Sequence, residues 1–215
     1  NINPVLVEAQ RGDAVESVHR GALAVVDADG AVLLALGDTQ RPIFPRSAVK
    51  VLQALPLVAS GAAEALQLSD DELALACASH NGEPAHVATA AGMLAKAGVD
   101  PRVLECGAHW PYREAFQREM AARGDTPSAL HNNCSGKHAG FICLACLMAR
   151  QVAGGQPLFD YAKGYVRAEH PVMREVTHAL QTATDWDLSR APQGIDGCSI
   201  PTFGIPLQHL ARAFA

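Results

Sequence analysis

A serine and a lysine three residues apart form the first candidate for chemistry in this chain. Ser47 and Lys50 follow Pro45 and precede an apolar run at residues 51–58 that is typical of a helix. Residues three apart share a helix face, so the Ser47 hydroxyl and the Lys50 amine can meet. A serine hydroxyl needs a neighbouring base to become a nucleophile. Lysine can be that base only when burial or another cation keeps it neutral.

The start of the same helix adds a further catalytic feature. Unpaired N–H groups at a helix start would suit an oxyanion that forms beside Ser47. A structural explanation is also open, because serine is a common helix cap and a lysine one turn later can simply extend into solvent. Three further segments of the chain favour the functional interpretation.

A second serine lies in residues 78–83 (ASHNGE), directly after an apolar run. Ser79 and Asn81 have the spacing of the S-D-N element that accompanies S-x-x-K in serine acyl-transfer enzymes, with His80 in place of Asp. A second serine can relay a proton between the lysine and the leaving group. The alternative is a polar turn at the end of a helix.

Residues 131–140 (HNNCSGKHAG) form the most polar stretch of the chain and lead into an apolar run. Cys134 and Lys137 are three residues apart and can share a helix face. A thiolate is a good zinc ligand, and a neutral amine nitrogen could be one. The alternative is a polar cap over a helix N-terminus. Cys143 and Cys146 lie in apolar surroundings and are predicted to be buried in the core.

Residues 194–204 place two glycines around Asp196 and Cys198, which predicts a tight turn. The Asp196 carboxylate could accept hydrogen bonds from a substrate ammonium. The Cys198 thiol could complete a metal site with Cys134. The alternative is a structural turn with a free thiol.

Hydrophobic patterns outline the elements that must position these groups. Residues 21–26 and 31–36 flank a turn at 27–30, which predicts a β-hairpin. Because both runs are almost wholly apolar, we expect this sheet to be covered on both faces. Ser69, with Glu72 three residues later, predicts a helix cap. The predicted helices begin at residue 47, cover residues 73–77, 84–97, 113–123, 137–150 and 171–184, and start again at 208, whereas residues 154–164 are predicted to be a loop.

Composition excludes several classes of function. The chain has 215 residues, of which 49% are hydrophobic, and we expect residues 1–215 to form a single domain. A net charge of −5 argues against binding to nucleic acid or to an anionic membrane surface. We expect no membrane span and no signal peptide, and six cysteines without a secretory signal indicate a reducing, cytoplasmic location. Because the last residues follow an amphipathic pattern with no terminating signal, we expect the domain to lack its C-terminal part.

Several of these segments together resemble one protein family. The matching motifs are residues 45–50 (PRSAVK), 53–57 (QALPL), 79–80 (SH), 132–140 (NNCSGKHAG) and 196–203 (DGCSIPTF). In combination they resemble the rhizobial-type, or class 3, thermolabile L-asparaginases of the asparaginase II family. The similarity extends from about residue 15 to residue 207, and the two later motifs are long and specific.

The resemblance implies both a fold and a catalytic group. The implied fold is α+β, of the serine-β-lactamase and glutaminase type, with a mixed or antiparallel sheet flanked by helices. Ser47 would be the nucleophile and Lys50 its base. Ser79 would be the second serine and Lys137 a second lysine of the catalytic group.

The same resemblance implies a zinc ion, a substrate site and an assembly. Cys134, Lys137 and Cys198 would bind zinc, with water as the fourth ligand. Members of the family usually form homodimers. The predicted substrate-binding residues are Arg46, His80, Asn133 and Asp196.

The resulting hypothesis is hydrolysis of L-asparagine to L-aspartate and ammonia through an acyl-enzyme on Ser47. Zinc would tighten substrate binding and hold the Cys134 and Cys198 loops rather than attack the substrate. Another serine acyl-transferase, such as a glutaminase or a penicillin-recognising enzyme, stays open, although the chain has no K-T-G element. A non-catalytic domain stabilised by zinc is the other alternative.

Overall fold

The computed structural model describes residues 3–152 and 155–215. The chain divides into two compact units. The smaller unit contains the residues up to Pro45 together with Gln181–Gln193 and Phe203–Ala215. The larger unit contains Arg46–Leu180 and Gly194–Thr202, and it includes every residue that the sequence singles out for chemistry. The single domain expected over residues 1–215 stays a prediction.

Among the described residues, helices account for about 46%, and the strands form small antiparallel sheets. The predicted combination of helix and sheet is confirmed at the level of a mixed α and β protein. The strands are β1 (Val5–Arg11), β2 (Ala14–Arg20), β3 (Leu23–Val26), β4 (Val32–Leu36), β5 (Pro42–Ile43), β6 (Gln193–Ile195), β7 (Pro201–Phe203) and β8 (Ile205–Pro206). The helices are α1 (Lys50–Gln53), α2 (Leu55–Ala59), α3 (Ala62–Ala65), α4 (Asp70–Cys77), α5 (Pro84–Ala97), α6 (Glu114–Arg123), α7 (Ser135–Gln151), α8 (Leu158–Ala162), α9 (Pro171–Thr184) and α10 (Leu207–Ala213). Turns of 3-10 helix cover Arg46–Val49, Pro101–Val103 and Ala129–His131.

Antiparallel strand pairs form the β structure of the smaller unit. Strand β1 pairs with β2, β3 with β4, and β5 with β8. The predicted hairpin is confirmed, because Leu23 lies opposite Leu36 and the Asp27 carboxylate accepts the N–H groups of Asp29 and Ala31 in the connecting turn. The predicted coverage of both faces is wrong for the described residues. Helix α10 contacts β3, but alternate residues of β3 and all residues of β4 remain exposed.

A buried helix, α7, organises the core of the larger unit. It contacts α4, α5 and α8. Thirteen of its seventeen residues are buried, so its surface is covered on all sides over most of its length. Phe141, Ile142 and Leu144 pack there with Met93 and Leu94 of α5. The apolar sequence of this helix predicts that burial, and burial of apolar surface is the main stabilising term in folding.

Most of the predicted helices are confirmed, with one addition. Ser69 caps α4, because its hydroxyl accepts the Glu72 N–H and the Glu72 carboxylate accepts the Ser69 N–H. Helix α5 begins at Pro84 and ends before Gly98, as predicted. The predicted loop over residues 154–164 is wrong in part, because it contains α8. The first residue of that predicted loop lies outside the described residues.

All six cysteines are free thiols. Cys143 and Cys146 are buried in α7, where their S–H groups donate to the carbonyl oxygens of Met93 at 3.7 Å and Ala97 at 3.6 Å. Their predicted place in the core is therefore confirmed. Among the helices that the structure describes, none has the length and apolar character needed to cross a membrane.

Candidate active site

Lys50 lies at the centre of a polar cluster in the larger unit. It begins α1, and only 2% of its surface is exposed. Its Nζ donates to the carbonyl oxygens of Ala78 at 2.7 Å and Asn133 at 3.4 Å, and it lies 2.7 Å from Ser79 Oγ. A neutral amine has two N–H groups and one lone pair. The two carbonyl groups can therefore accept both hydrogens and leave the lone pair for the Ser79 hydroxyl.

Burial favours the neutral form of this lysine. Removal from water is the largest effect and lowers the pKa of Lys50 below its ordinary value. The neighbouring Cys134 sulfur raises this pKa, and the charge of Lys137 lowers it again. Lys50 can consequently lose its proton at a lower pH than a lysine in water.

Ser79 connects Lys50 to Ser47. The Ser79 Oγ atom lies 2.7 Å from Lys50 Nζ and 2.8 Å from Ser47 Oγ. Within the described residues, no hydrogen bond joins Lys50 directly to Ser47, so the direct contact expected from their spacing is corrected to a path through Ser79. The physical reason is that Ser47 is exposed on the 3-10 turn, whereas the Lys50 side chain runs inward to the two carbonyl groups. Because a hydroxyl can both donate and accept, Ser79 can pass a proton in either direction.

Cys134, Lys137 and Cys198 form a second cluster close to Lys50. All three are buried, and Lys137 Nζ donates to Cys198 Sγ at 3.2 Å. The hydrogen bond between the thiols lowers the pKa of Cys134 to about 6 and raises the pKa of Cys198 to about 11. The pair therefore loses its first proton readily and its second with difficulty. The hydrogen bonds that the structure describes for Lys137 do not include Ser47, so its predicted catalytic role has no direct contact to support it.

The donor atoms of this cluster fit a soft metal ion. Two sulfur atoms and an amine nitrogen are a set that zinc accepts, and the lowered pKa of Cys134 supplies a thiolate near neutral pH. Lys137 could bind a metal only through its lone pair and therefore only as a neutral amine. No group of three or more His, Cys, Asp and Glu side chains that could hold a metal ion occurs in the described part of the chain. The predicted set contains only two residues of those types, so zinc stays a prediction.

An ion pair joins the Ser47 turn to the Cys198 turn. Arg46 Nη2 lies 3.0 Å from Asp196 Oδ1, and the other carboxylate oxygen lies 3.6 Å from Cys198 Sγ. Arg46 and Ser199 both have left-handed backbone conformations, with φ of 53° and 76°. Residues other than glycine rarely adopt this conformation, and such strain occurs preferentially at functional sites. The strained residues are direct neighbours of Ser47 and Cys198.

His80 anchors the Ser79 segment to α7. The Gly82 N–H donates to His80 Nδ1 at 3.0 Å, so the ring hydrogen lies on Nε2 and donates to Ser135 Oγ at 2.8 Å. Ser135 in turn donates to the Leu130 carbonyl oxygen at 2.8 Å. Burial lowers the pKa of His80 to about 4, which keeps the ring neutral. Both ring nitrogens have protein partners, and the predicted contact of His80 with substrate stays a prediction.

His109 holds Asn133 in place, although the sequence does not single out this histidine. The Asn133 N–H donates to His109 Nε2 at 2.8 Å, and His109 Nδ1 lies 2.9 Å from the Trp110 carbonyl oxygen. The Asn133 carbonyl group is thereby fixed where it accepts from Lys50. His109 is half-buried and stands alone in a loop, where no spacing along the chain indicates a function.

The polar cluster around Lys50 is open to solvent at Ser47 and Ser79. A cavity of about 430 Å³ is lined by Ser79, His80 and Asn81 together with residues of α4 and α5. Ser47 and Ser79 are both exposed, whereas Lys50 is not. A small polar molecule could therefore reach the two hydroxyl groups while the lysine stays shielded from water.

Comparison with known proteins decides the family. A family model described as L-asparaginase II matches residues 7–215. The chain belongs to the L-asparaginase II family. The family predicted from the motifs is thus confirmed. Membership in this family supports an asparagine amidohydrolase activity that acts on a small-molecule substrate. No individual curated protein matches the chain.

Proposed function

We propose that this chain hydrolyses the side-chain amide of L-asparagine to L-aspartate and ammonia, with Ser47 as the nucleophile and Lys50 as the base. Membership in the L-asparaginase II family supports the substrate. The observation that carries the mechanism is the continuous hydrogen-bonded path from Lys50 Nζ through Ser79 Oγ to Ser47 Oγ. This path supplies the base that a serine nucleophile requires.

During acylation, protons move along the Ser47–Ser79–Lys50 path first towards Lys50 and then away from it. The Ser47 oxygen attacks the amide carbon while its proton moves to Ser79 and the Ser79 proton moves to neutral Lys50. Backbone N–H groups beside Ser47 stabilise the oxyanion. When the carbon–nitrogen bond breaks, the Lys50 ammonium returns its proton through Ser79 to the departing nitrogen. Ammonia leaves, and aspartate stays bound to Ser47 as an ester.

Deacylation repeats the proton movements with water. Neutral Lys50 accepts a proton from the attacking water through Ser79, and the hydroxide adds to the ester carbon. The Ser47 oxygen leaves and recovers the proton from Lys50. Aspartate is released, and all three groups return to their starting protonation states.

Arg46 and Asp196 supply charges that match the backbone groups of an amino-acid substrate. The carboxylate of Asp196 suits the substrate ammonium, and the guanidinium of Arg46 suits the substrate carboxylate. In the structure these two side chains form an ion pair with each other at 3.0 Å. Substrate binding would exchange that ion pair for two new ones. His80 and Asn133 complete the proposed substrate site.

Cys134, Lys137 and Cys198 are the proposed holders of a zinc ion. When bound, zinc supplies a fixed positive charge beside the substrate site. Cys134 and Cys198 belong to segments that are far apart in sequence, so their shared ion would also hold the two loops together. Metal analysis of protein purified without chelator tests this part. Absence of metal, together with unchanged activity of Cys134→Ala, would remove zinc from the proposal.

The test of the nucleophile is ammonia release by Ser47→Ala. We expect this variant to lose activity with asparagine, while Ser17→Ala, a change on the exposed strand β2, retains it. Mass spectrometry of wild-type protein quenched during turnover should show an aspartyl adduct on Ser47. An active Ser47→Ala variant would overturn the assignment.

A substrate panel separates the alternatives. Asparagine, glutamine and a chromogenic β-lactam distinguish an asparaginase from a glutaminase and from a penicillin-recognising enzyme. A non-catalytic zinc domain would hydrolyse none of the three and would not be labelled on Ser47 by an acylating probe.

The family resemblance adds three features to the proposal. These are the serine-β-lactamase and glutaminase type of fold, a homodimer and a cytoplasmic location. Light scattering of the purified protein tests the homodimer, since a mass of one chain would exclude it.

A further inference from the structure

An open cavity beside Ser79 is larger than the hydrolysis of asparagine requires. Its volume is about 430 Å³, and its walls include Ser79 and Asn81, Ala74 of α4, and Ala85 and Thr89 of α5. We call it the Ser79 cavity. Ammonia is about the size of a water molecule, which takes up about 30 Å³ in the liquid. The Ser79 cavity therefore has room for many more atoms than the amide nitrogen of asparagine.

The proton path fixes where the leaving group of a substrate must lie. Ser79 Oγ lies 2.7 Å from Lys50 Nζ and 2.8 Å from Ser47 Oγ, so Lys50 returns its proton through the Ser79 hydroxyl. A proton donor must lie within hydrogen-bond reach of the atom that it protonates. The departing nitrogen is consequently next to Ser79, and a substituent on this nitrogen would extend from the Ser79 side of the site.

The groups proposed for the amino-acid end of the substrate lie elsewhere. Arg46 and Asp196 form an ion pair at 3.0 Å that joins the Ser47 turn to the Cys198 turn. The described residues that line the Ser79 cavity include neither of these two nor Ser47. The Ser79 cavity is therefore separate from the place where the charged end of asparagine would bind.

Small side chains keep the Ser79 cavity open. Ala74 and Ala85 are exposed, and Thr89 is half-buried. The Thr89 hydroxyl donates to the Ala85 carbonyl oxygen at 2.9 Å, one turn earlier on α5, and its oxygen can still accept a hydrogen bond. Short apolar surfaces with a hydrogen-bond acceptor suit a small alkyl or hydroxyalkyl group.

We propose that the Ser79 cavity receives the leaving amine of L-asparagines that carry a substituent on the amide nitrogen, so that the chain hydrolyses β-aspartyl amides of small primary amines as well as asparagine. The inference rests on the proposed function, because it uses the same nucleophile and the same proton path. The Ser47 oxygen forms an ester with the side-chain carbonyl carbon, and the bond from this carbon to the substituted nitrogen breaks. The proton from Lys50 reaches this nitrogen through Ser79, and the neutral amine leaves. Water then releases aspartate from Ser47 as it does after the loss of ammonia.

A series of substrates tests the size of the leaving group. All of them release aspartate, so one assay measures them all. For asparagine with a methyl, ethyl or hydroxyethyl group on its amide nitrogen, we expect kcat/KM within about 10-fold of the value for asparagine. Asparagine with an ethyl group on its α-amino nitrogen is the matched control, because it carries the same atoms at the Asp196 end. We expect this compound to lose at least about 100-fold in kcat/KM through a clash.

Filling the Ser79 cavity tests its role directly. We expect Ala85→Phe to lower the ratio of kcat/KM for amide-ethylated asparagine to kcat/KM for asparagine by at least about 10-fold. Ala88→Phe is the matched control and should keep the wild-type ratio, because Ala88 is also exposed on α5 but lines a separate cavity with Phe116 and Met120. If Ala85→Phe does not fold, Ala74→Phe makes the same test from the α4 wall.

The possible results separate this inference from the proposed function. Hydrolysis of asparagine with less than about 1% of its kcat/KM for every amide-substituted compound would overturn the inference and leave the proposed function intact. Wild-type ratios in both Ala85→Phe and Ala74→Phe would overturn the placement of the amine in the Ser79 cavity. Hydrolysis of the substituted amides but not of asparagine would keep the cavity and overturn asparagine as the substrate. Release of aspartate from none of the compounds would overturn the proposed function and the inference with it.

Discussion

At the scale of single residues, the position of Ser79 between Lys50 and Ser47 determines how the proton moves. Removing the Ser79 hydroxyl interrupts the path, and a positioned proton-transfer group contributes about 10²- to 10⁴-fold to rate. We therefore expect Ser79→Ala to lower kcat by about this factor with a smaller change in KM, and Ser79→Thr to recover part of the rate. Steady-state kinetics of ammonia release measures both. A Ser79→Ala variant with wild-type kcat would indicate direct transfer between Lys50 and Ser47.

The lowered pKa of Lys50 predicts the direction of the pH dependence. Because only the neutral amine accepts a proton, kcat/KM should rise with pH as Lys50 loses its proton. Burial lowers this pKa, so the rise should lie at lower pH than for a lysine in water. Lys50→Arg should be inactive at every accessible pH, since a guanidinium stays charged. The profile of kcat/KM against pH tests this, and a rate that falls with rising pH over the same range would contradict the role of Lys50 as a base.

His80 links the stability of the fold to acid. Burial lowers its pKa to about 4 in the folded chain, against about 6.5 when unfolded. The unfolded state binds more protons between these values, so stability should fall as the pH drops from 6.5 to 4, by up to about 3 kcal/mol. Urea unfolding across this range should show a shallower dependence for His80→Gln than for wild type. His19→Gln, on exposed β2, is the control and should keep the wild-type slope.

At the scale of elements, local sequence signals account for the helices that were predicted well. Pro84 at the first turn and Gly98 after the last turn define α5, and the Ser69 capping box defines the start of α4. The β1–β2 hairpin was not predicted. Each of its strands carries valines beside charged residues, and its turn contains only Gly12 as a strong signal. Helix α8 has five residues, too few for a hydrophobic period to be read.

The sequence predicts the parts of the site that lie within one contiguous motif. It does not predict contacts between loops that only the fold brings together. Cys134 and Lys137 share one helix turn, and the family motif adds Cys198. The insertion of Ser79 between Ser47 and Lys50 depends on where α4 ends relative to α1, which no spacing along the chain encodes. Single residues such as His109 act through contacts with segments distant in sequence, so only the folded structure reveals them.

The close approach of α4 and α7 positions both serine and thiol segments, and Gly136 makes it possible. A Cβ atom added at Gly136 would lie 2.4 Å from the Leu75 carbonyl oxygen, and backbone cannot easily move. We expect Gly136→Ala to destabilise the protein by about 1–3 kcal/mol through overpacking. Gly92→Ala on α5 is the matched control, because its nearest atom would be at 3.5 Å, an ordinary contact. It should be neutral or stabilise by up to about 1 kcal/mol. Equal unfolding midpoints for the two variants would contradict the packing argument.

At the scale of the whole molecule, the site belongs to one compact unit but to four separate stretches of chain. The larger unit supplies the Ser47 turn, the Ser79 segment, the first turn of α7 and the Cys198 turn. The hydrogen bond between Lys137 and Cys198 already joins residues 61 positions apart. An unfolded chain cannot hold these groups together, so a ligand that binds them all favours the folded state.

Zinc should therefore raise the stability of the folded protein if Cys134, Lys137 and Cys198 bind it. A metal at 100 times its Kd adds about 2.7 kcal/mol of stability, which should appear as a higher Tm with zinc than with a chelator. Cys134→Ser should lose most of this difference. Cys77→Ser is the matched control, because Cys77 is a free thiol at the end of α4 and lies outside the cluster. A zinc-dependent Tm increase that Cys134→Ser retains would mean that zinc binds elsewhere, and no increase in wild type would count against a zinc site in the folded chain.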